Sequence, residues 1–318
     1  MARKKILLIG GSLNQTTMMH QIAQHLHEYD CFFTPFYADG LVGYAAKKGW
    51  ADFSVLGGPM RRMTLEYLRR QDLPIDEGGR ANSYDLVLTG SDLIIQKNIR
   101  GKKIILIQEG MTDPENLFYY LVKWFRLPRY LASTAAHGLS HQYERFCVAS
   151  EGYRDLFIRK GVSPEKIVVT GIPNFDNAAQ YLNNPFPYRH YVLVATSDAR
   201  ETFKYDNRKR FIRRALEIAD GRQLIFKLHP NEKVERATRE ILKLAPRALI
   251  FARGNTNHMI ANCDVLVTQY SSVVYIGLAL GKEVHSYFDL SLLKRLMPIQ
   301  NGGASAKNIA EVCKTYLQ

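Results

Sequence analysis

The sequence carries four short stretches whose residue types and spacing suit chemistry on a small ligand. Gly10, Gly11 and Ser12 follow an apolar run and precede Leu13-Asn14-Gln15-Thr16-Thr17. Glycines there let a backbone approach a ligand closely, and the free N–H groups of a following helix attract an anion. The stretch is neither a full GxGxxG nor a Walker sequence, and a tight turn explains it as well. Glu109, in Gln108-Glu109-Gly110, stands just past a second apolar run, where a carboxylate is placed to act as a general base. Asp113 and Pro114, close by, read instead as the N-cap and first residue of a helix. Lys227-Leu228-His229-Pro230-Asn231-Glu232 ends a third run on an imidazole between a lysine and a helix-stopping proline. Thr268-Gln269-Tyr270-Ser271-Ser272 delivers two adjacent hydroxyls to the start of a helix, where they favour a phosphate or cap the helix.

Rigid elements must position these residues, and the hydrophobic pattern supplies strands alternating with helices. Strands are expected over 5–9, 86–88, 104–107, 146–148 and 167–169, with helices over 16–27 and 152–160, the second closed by Gly161. Residues 181–188, with Asn183, Asn184, Pro185 and Pro187, form the best linker. After it the pattern restarts, with strands over 191–195, 224–228, 248–251 and 265–268. Helices follow over 208–219, 234–244, 271–280 and 307–316. The length of 318 residues exceeds one ordinary core and fits two domains of about 150 residues. The expected fold class is α/β: two doubly wound, Rossmann-like parallel-sheet domains facing a cleft, with ligands beyond the carboxyl ends of the strands.

Charge narrows the partners. The 43 Lys and Arg against 30 Asp and Glu give +13, dense at Arg61, Arg62, Arg69 and Arg70 and again over 208–214. Such an excess favours phosphate-bearing substrates, an anionic membrane or nucleic acid. No zinc-finger spacing, RNA-binding aromatic motif or basic tail accompanies it, so no nucleic-acid partner is expected. Cys31, Cys147, Cys263 and Cys313 form no CxxC pair, which argues against a disulfide framework or structural zinc and suits a reducing compartment. The apolar run after Met1-Ala2-Arg3-Lys4-Lys5 stops at Gly10, short of a signal peptide, and no run reaches the roughly 18–20 residues that cross a bilayer. A cytoplasmic location is expected. Over 114–127, Phe118, Leu121, Val122 and Phe125 share one helical face and Tyr119, Lys123 and Arg126 another. That suits a core helix, or an interfacial helix at the inner face of the cell membrane. HExxH, GxSxG and P-loop patterns are absent.

The segments SEGYRDLFIRKGVSPEKIVVTGIPNFD (150–176), KLHPNE (227–232) and CDVLVTQYSSVVYIGLALGK (263–282) together resemble a group of GT-B-fold enzymes. These are the CDP-glycerol glycerophosphotransferases and the capsule or teichoic-acid glycosyltransferases. The likeness is clearest over 146–289, and the UDP-N-acetylglucosamine 2-epimerases look like more distant relatives. The resemblance implies an acceptor-side domain over 1–180, a linker over 181–190, a nucleotide-donor domain over 191–289 and a C-terminal helical segment over 290–318. It implies transfer of a glycosyl or polyol-phosphate group from a nucleotide-activated donor to a lipid-linked or glycan acceptor in cell-surface polysaccharide synthesis. No cofactor or divalent metal is implied, and no DxD motif occurs. His229, Lys227, Ser271 and Ser272 would then stabilise the leaving diphosphate, while Glu109 takes the acceptor proton. Gly10, Gly11, Ser12, Gly171, Pro173, Thr196, Ser197, Pro230, Asn231, Thr268, Gln269 and Tyr270 would line the same site.

Three positions depart from these families. Gln269 stands where the transferases carry Asp before Tyr-Ser-Ser, and Glu109-Gly110 where glycerophosphotransferases carry His-Gly. That glutamate is nearer to the epimerase-type His-x-Glu-Ala-Gly segment. The epimerases' His-Arg-x-Glu position reads Thr196-Ser197-Asp198-Ala199-Arg200-Glu201, without a histidine. An epimerase-like isomerase is therefore the second reading, and a non-catalytic binder of a nucleotide sugar or lipid head group the third.

Overall fold

A computed structural model describes residues 3–52, 54–197, 199–201 and 205–318; Met1, Ala2 and Asp198 lie outside the described residues. The chain divides into two compact units, Met1–Asp176 with Pro298–Gln318, and Asn177–Met297.

The first unit runs β1 (Lys5–Gly10), α1 (Leu13–Ala23), β2 (Asp30–Pro35), α2 (Gly40–Lys47), α3 (Gly58–Arg70), β3 (Leu86–Thr89), β4 (Ile104–Ile107), α4 (Leu117–Phe125), β5 (Arg145–Val148), α5 (Glu151–Lys160) and β6 (Ile167–Val169). Its strands are all parallel, in the order β2-β1-β3-β4-β5-β6. Because a parallel sheet is covered on both faces, its strands read as unbroken apolar runs, and Ile6, Leu7, Leu8 and Ile9 are all fully buried. The second unit runs β7 (Val192–Ala195), α6 (Arg208–Ala219), β8 (Leu224–Lys227), α7 (Val234–Leu244), β9 (Leu249–Phe251), α8 (Thr256–Asn262), β10 (Val265–Thr268), α9 (Val274–Ala279), β11 (Glu283–His285) and α10 (Leu290–Leu296). Its sheet is again parallel, ordered β11-β10-β7-β8-β9. Phe211, Ile212, Ala215 and Ile241 from α6 and α7 pack on Val192, Val194 and Phe226.

Three expectations change. Asp113 does not cap the helix that follows it. Asn116 does, accepting from the Tyr119 N–H, while Asp113 exchanges hydrogen bonds with Thr134. Within that helix Tyr119 turns inward with Val122, against Ala132, Ala135 and Ala136. The closing residues also do not stand apart. α11 (Ser305–Lys314) buries Ile309, Ala310 and Cys313 in the first unit's core beside Met18, Met19 and Ile22.

The turn after β6 seats this closing segment. The Asp176 carboxylate accepts from the Ser305 N–H at 3.0 Å, and its carbonyl from the N–H groups of Asn301 and Gly302 at 2.9 and 3.1 Å. Gly171 sits beneath with φ +74°, and a β-carbon there would lie 2.2 Å from the Ser305 hydroxyl. Both the backbone conformation and the space demand glycine. Gly171→Ala should therefore cost about 2–3 kcal/mol, read as a lowered denaturant midpoint. An unchanged midpoint would show that the turn can yield without loosening α11.

Candidate functional site

In each sheet the order of strand addition reverses once, β1 lying between β2 and β3, and β7 between β8 and β10. Loops leaving neighbouring strands diverge at such a point and open a crevice at their carboxyl ends. Both crevices hold residues singled out in the sequence.

In the first unit, β1 ends on Gly10 and Gly11, and Ser12 caps α1 by accepting from the Gln15 N–H at 3.1 Å. The same serine hydroxyl donates to Glu109 Oε1 at 2.7 Å, and Gln15 Nε2 donates to Glu109 Oε2 at 2.5 Å. Gln15 Oε1 in turn accepts from the Gly11 N–H at 2.7 Å, so the amide is fixed at both ends. A β-carbon on Gly11 would meet Gln15 Oε1 at 2.4 Å, and one on Gly10 would meet the Thr16 hydroxyl at 2.5 Å. Here the glycines make room for α1's own side chains. Gln108, just before Glu109, ties down the loop: its Nε2 donates to the Gly110 carbonyl, and its Oε1 accepts from the Ala149 N–H. Asn174, one residue past Pro173, donates to the Glu109 carbonyl at 3.4 Å. Burial raises the Glu109 carboxyl above the usual carboxylate range, and the Ser12 and Gln15 hydrogen bonds pull it back only in part. Both of its side-chain partners are neutral, so no ion pair among them offsets that rise.

The second unit builds its crevice differently. Arg208 pairs with Glu232 at 2.7 Å and with Asp206 at 3.0 Å, and Arg200 reaches Asp206 at 3.4 Å and Glu240 at 2.9 Å. The side chains of Asp206 and Glu232 are fully buried. Thr196 donates to Glu232, and both accept from the His229 N–H. Gln269 donates to Asp206 at 2.8 Å and accepts from the Ser197 hydroxyl at 3.0 Å. Over this base, between the ends of β7 and β10, lies a cavity of ≈ 480 Å³. Tyr205, Tyr270 and Tyr287 line it with Arg210, Arg214 and Ser197. Tyr270 stacks edge-on to Tyr287 and Phe288 at 5.5 and 4.9 Å. Aromatic faces beside guanidinium groups suit a ligand with a flat ring and a phosphate.

The structure places the other expected residues as follows. Lys227 is buried, donates to the Leu228 and Ala252 carbonyls, and is pushed down in pKa by desolvation. Thr268 donates to the Ala195 carbonyl and fastens β10 to β7. His229 accepts from the Asn231 N–H through Nδ1, and Pro230 beside it is exposed. Ser271 and Ser272 precede α9, but its N-cap is Val273, with no side-chain cap, and the helix has only six residues. Pro173 is buried, and Gly171 packs against the closing segment. Sequence reading missed Gln15, Arg208, Asp206 and Glu232. Gln15, three residues past a serine cap, was open to discovery as part of a capping pattern. Among the described residues no group of three or more His, Cys, Asp or Glu is placed to hold a metal ion.

No protein-family model matches the sequence, and no curated protein matches it. Solved structures do match the fold. The S. aureus MnaA–UDP co-structure overlaps with a TM-score of 0.62 at 14% identity, over 99% of this chain and 97% of that one. The UDP-GlcNAc 2-epimerase from Neisseria meningitidis bound to UDP-GlcNAc gives 0.58 at 12%, over 98% and 100%. A variant of the wall teichoic acid polymerase TagF gives 0.54 at 12%, over 99% and 89%. The chain is thus an α/β protein with a GT-B-like fold, two parallel-sheet units of the kind these proteins share.

Glu109 makes the site testable without a substrate. Its ordinary value is 4.5, and its folded value is higher, so the folded chain keeps a proton that the unfolded chain has released. Stability then falls as pH rises through that window. Glu109→Gln has no such titration. Its stability relative to wild type should climb from about pH 4 upward and level off above the raised value, as measured by calorimetry across about pH 4–8. A constant difference would show that the carboxyl is not raised.

Proposed function

We propose that the protein is a group transferase that moves a glycosyl or polyol-phosphate group from a nucleotide-activated donor to an acceptor hydroxyl in cell-surface polysaccharide synthesis. The observation that carries this reading is Glu109, a half-buried carboxyl whose two side-chain partners, Ser12 and Gln15, are both neutral. An ion-paired glutamate is held charged and is a weak base; a desolvated one takes a proton near the operating pH. As the acceptor oxygen attacks the donor's carbon or phosphorus, its proton passes to Glu109 and the bond to the nucleotide breaks. A sugar donor linked through a diphosphate releases nucleoside diphosphate, and a CMP-linked sugar or a CDP-linked polyol releases nucleoside monophosphate.

The second unit binds the nucleotide, with Tyr205, Tyr270 and Tyr287 offered to the base and Arg210 and Arg214 to the phosphates. His229, Ser271 and Ser272 stabilise the charge that develops on the leaving group. Solved neighbours with UDP and UDP-GlcNAc support a nucleotide-bearing donor. A second reading, isomerisation of a UDP-sugar, draws support from the larger overlap with the Neisseria epimerase, 0.58 against 0.54 for the polymerase. It lacks a histidine at 196–201.

A panel of CDP-, UDP-, CMP- and GDP-linked donors separates the readings. Product on an added acceptor marks a transferase, and epimerised donor without acceptor an isomerase. Binding with neither marks a carrier. Glu109→Gln should keep nucleotide affinity while turnover falls by about 10²–10⁴. Near-wild-type turnover would make Glu109 structural. Arg210→Ala should weaken the binding of any nucleoside diphosphate by about tenfold or more, since a charge-assisted contact is lost. Equal affinity would move the nucleotide elsewhere.

A further inference from the structure

The outward face of α4 exposes a run of large apolar side chains. Leu117, Phe118, Trp124 and Phe125 are 69%, 61%, 70% and 68% exposed, and Leu127, Tyr130 and Leu131 continue the patch along the chain. These residues are not surplus core. Tyr119 and Val122 fill the helix's inward side against Ala132, Ala135 and Ala136, so the cluster beneath is already satisfied. Aromatic rings with polar tips are part of the surface: Tyr120 packs on Trp124 at 5.5 Å and donates to Glu115. Exposed Arg126 closes the helix beside it, while Lys123 donates to the Lys160 carbonyl on the inward side. Contiguous exposed apolar surface of this kind marks an interaction site.

We propose that this face docks on an anionic lipid bilayer, with Phe118, Trp124 and Phe125 entering the headgroup–acyl boundary. Two features select a membrane over a second copy of the chain. Mixed Leu, Phe, Trp and Tyr beside Lys and Arg is the composition of interfacial helices, which lie in the membrane plane and sink about 5–10 Å. The chain also carries +13, so two copies repel each other while an anionic surface attracts. No helix among the described residues is long and apolar enough to cross a membrane, so attachment through this face is by insertion from one side. The proposal does not depend on the reaction assigned above.

The chain has two tryptophans, which makes the test direct. Trp50→Phe leaves Trp124 as the reporter, and Trp124→Phe leaves Trp50, on a different exposed segment. With phosphatidylglycerol-containing vesicles, Trp124 emission should shift to the blue and lose acrylamide quenching, while Trp50 stays unchanged. Pure phosphatidylcholine vesicles should give a weaker response. Phe118→Asp with Phe125→Asp, both exposed and so tolerated by the fold, should lower the partition coefficient at least about tenfold. An unchanged Trp124 spectrum at low salt overturns the proposal. So does a dimer in sedimentation velocity that the same double variant dissolves, because the face would then join two copies. Activity on a soluble acceptor should survive the double variant, which separates failure here from failure of the transferase reading.

Discussion

A parallel strand cannot be returned to its neighbour by a tight turn, so each crossover takes a long connection, in most cases a helix, and those connections bury both faces of the sheet. Both units live under that constraint. It sends every strand's carboxyl end to the same edge, and with them every loop that leaves a strand. Ser12 and Glu109 are 97 residues apart in the chain, and Glu109 and Asn174 are 65 apart. They meet because β1, β3, β4, β5 and β6 pair in register and end level. The reversal of strand order between β1 and β3 then keeps the loops beside Ser12 from closing over it.

The same edge is wired in two ways. In the first unit the Glu109 carboxyl sits among neutral hydrogen-bond donors, and desolvation raises its pKa with no ion pair among those donors to offset it. In the second, Asp206 and Glu232 are matched by Arg208 and Arg200 in a buried lattice. Charges paired in that fashion contribute little net stability relative to an apolar core, yet removing one partner is costly, so the lattice holds one geometry. Its product is a fixed floor under the cavity: Thr196, Ser197 and Gln269 are each bound to a member of the lattice or to its neighbour.

How legible this was from sequence follows from what each residue's neighbours are. Buried strands such as β1 and β4 announce themselves, since unbroken Ile and Leu runs have few other uses. β2, reading DCFFTP, does not, because its alternation is imperfect and it ends on proline at the sheet's rim. Glu109 stands just past β4, and that place is a local property which sequence shows. The partners of Gln15 and Arg208 lie 94 and 24 residues away, and no local pattern encodes them. Lys227 misled for the complementary reason. A lysine at a strand's end looks available, but this one is enclosed and spends its ammonium on backbone carbonyls.

The run 208–214 shows how a helix sorts one composition into two functions. Arg208 faces inward with Phe211 and Ile212, while Lys209, Arg210, Arg213 and Arg214 face outward, as a period of 3.6 requires. The inward arginine brings Asp206 with it, and Asp206 bears on position 269, where the resembling transferases carry aspartate. Gln269 gives a hydrogen bond to Asp206 and takes one from Ser197, so the position needs a donor and an acceptor on one side chain. An ionised aspartate only accepts, and at 269 it would set a second carboxylate against Asp206 in a buried site, where like charges cannot both stay ionised. The departure at 269 is therefore what the lattice requires: once Asp206 is committed to Arg208 and Arg200, an amide is the side chain that completes the floor without adding charge.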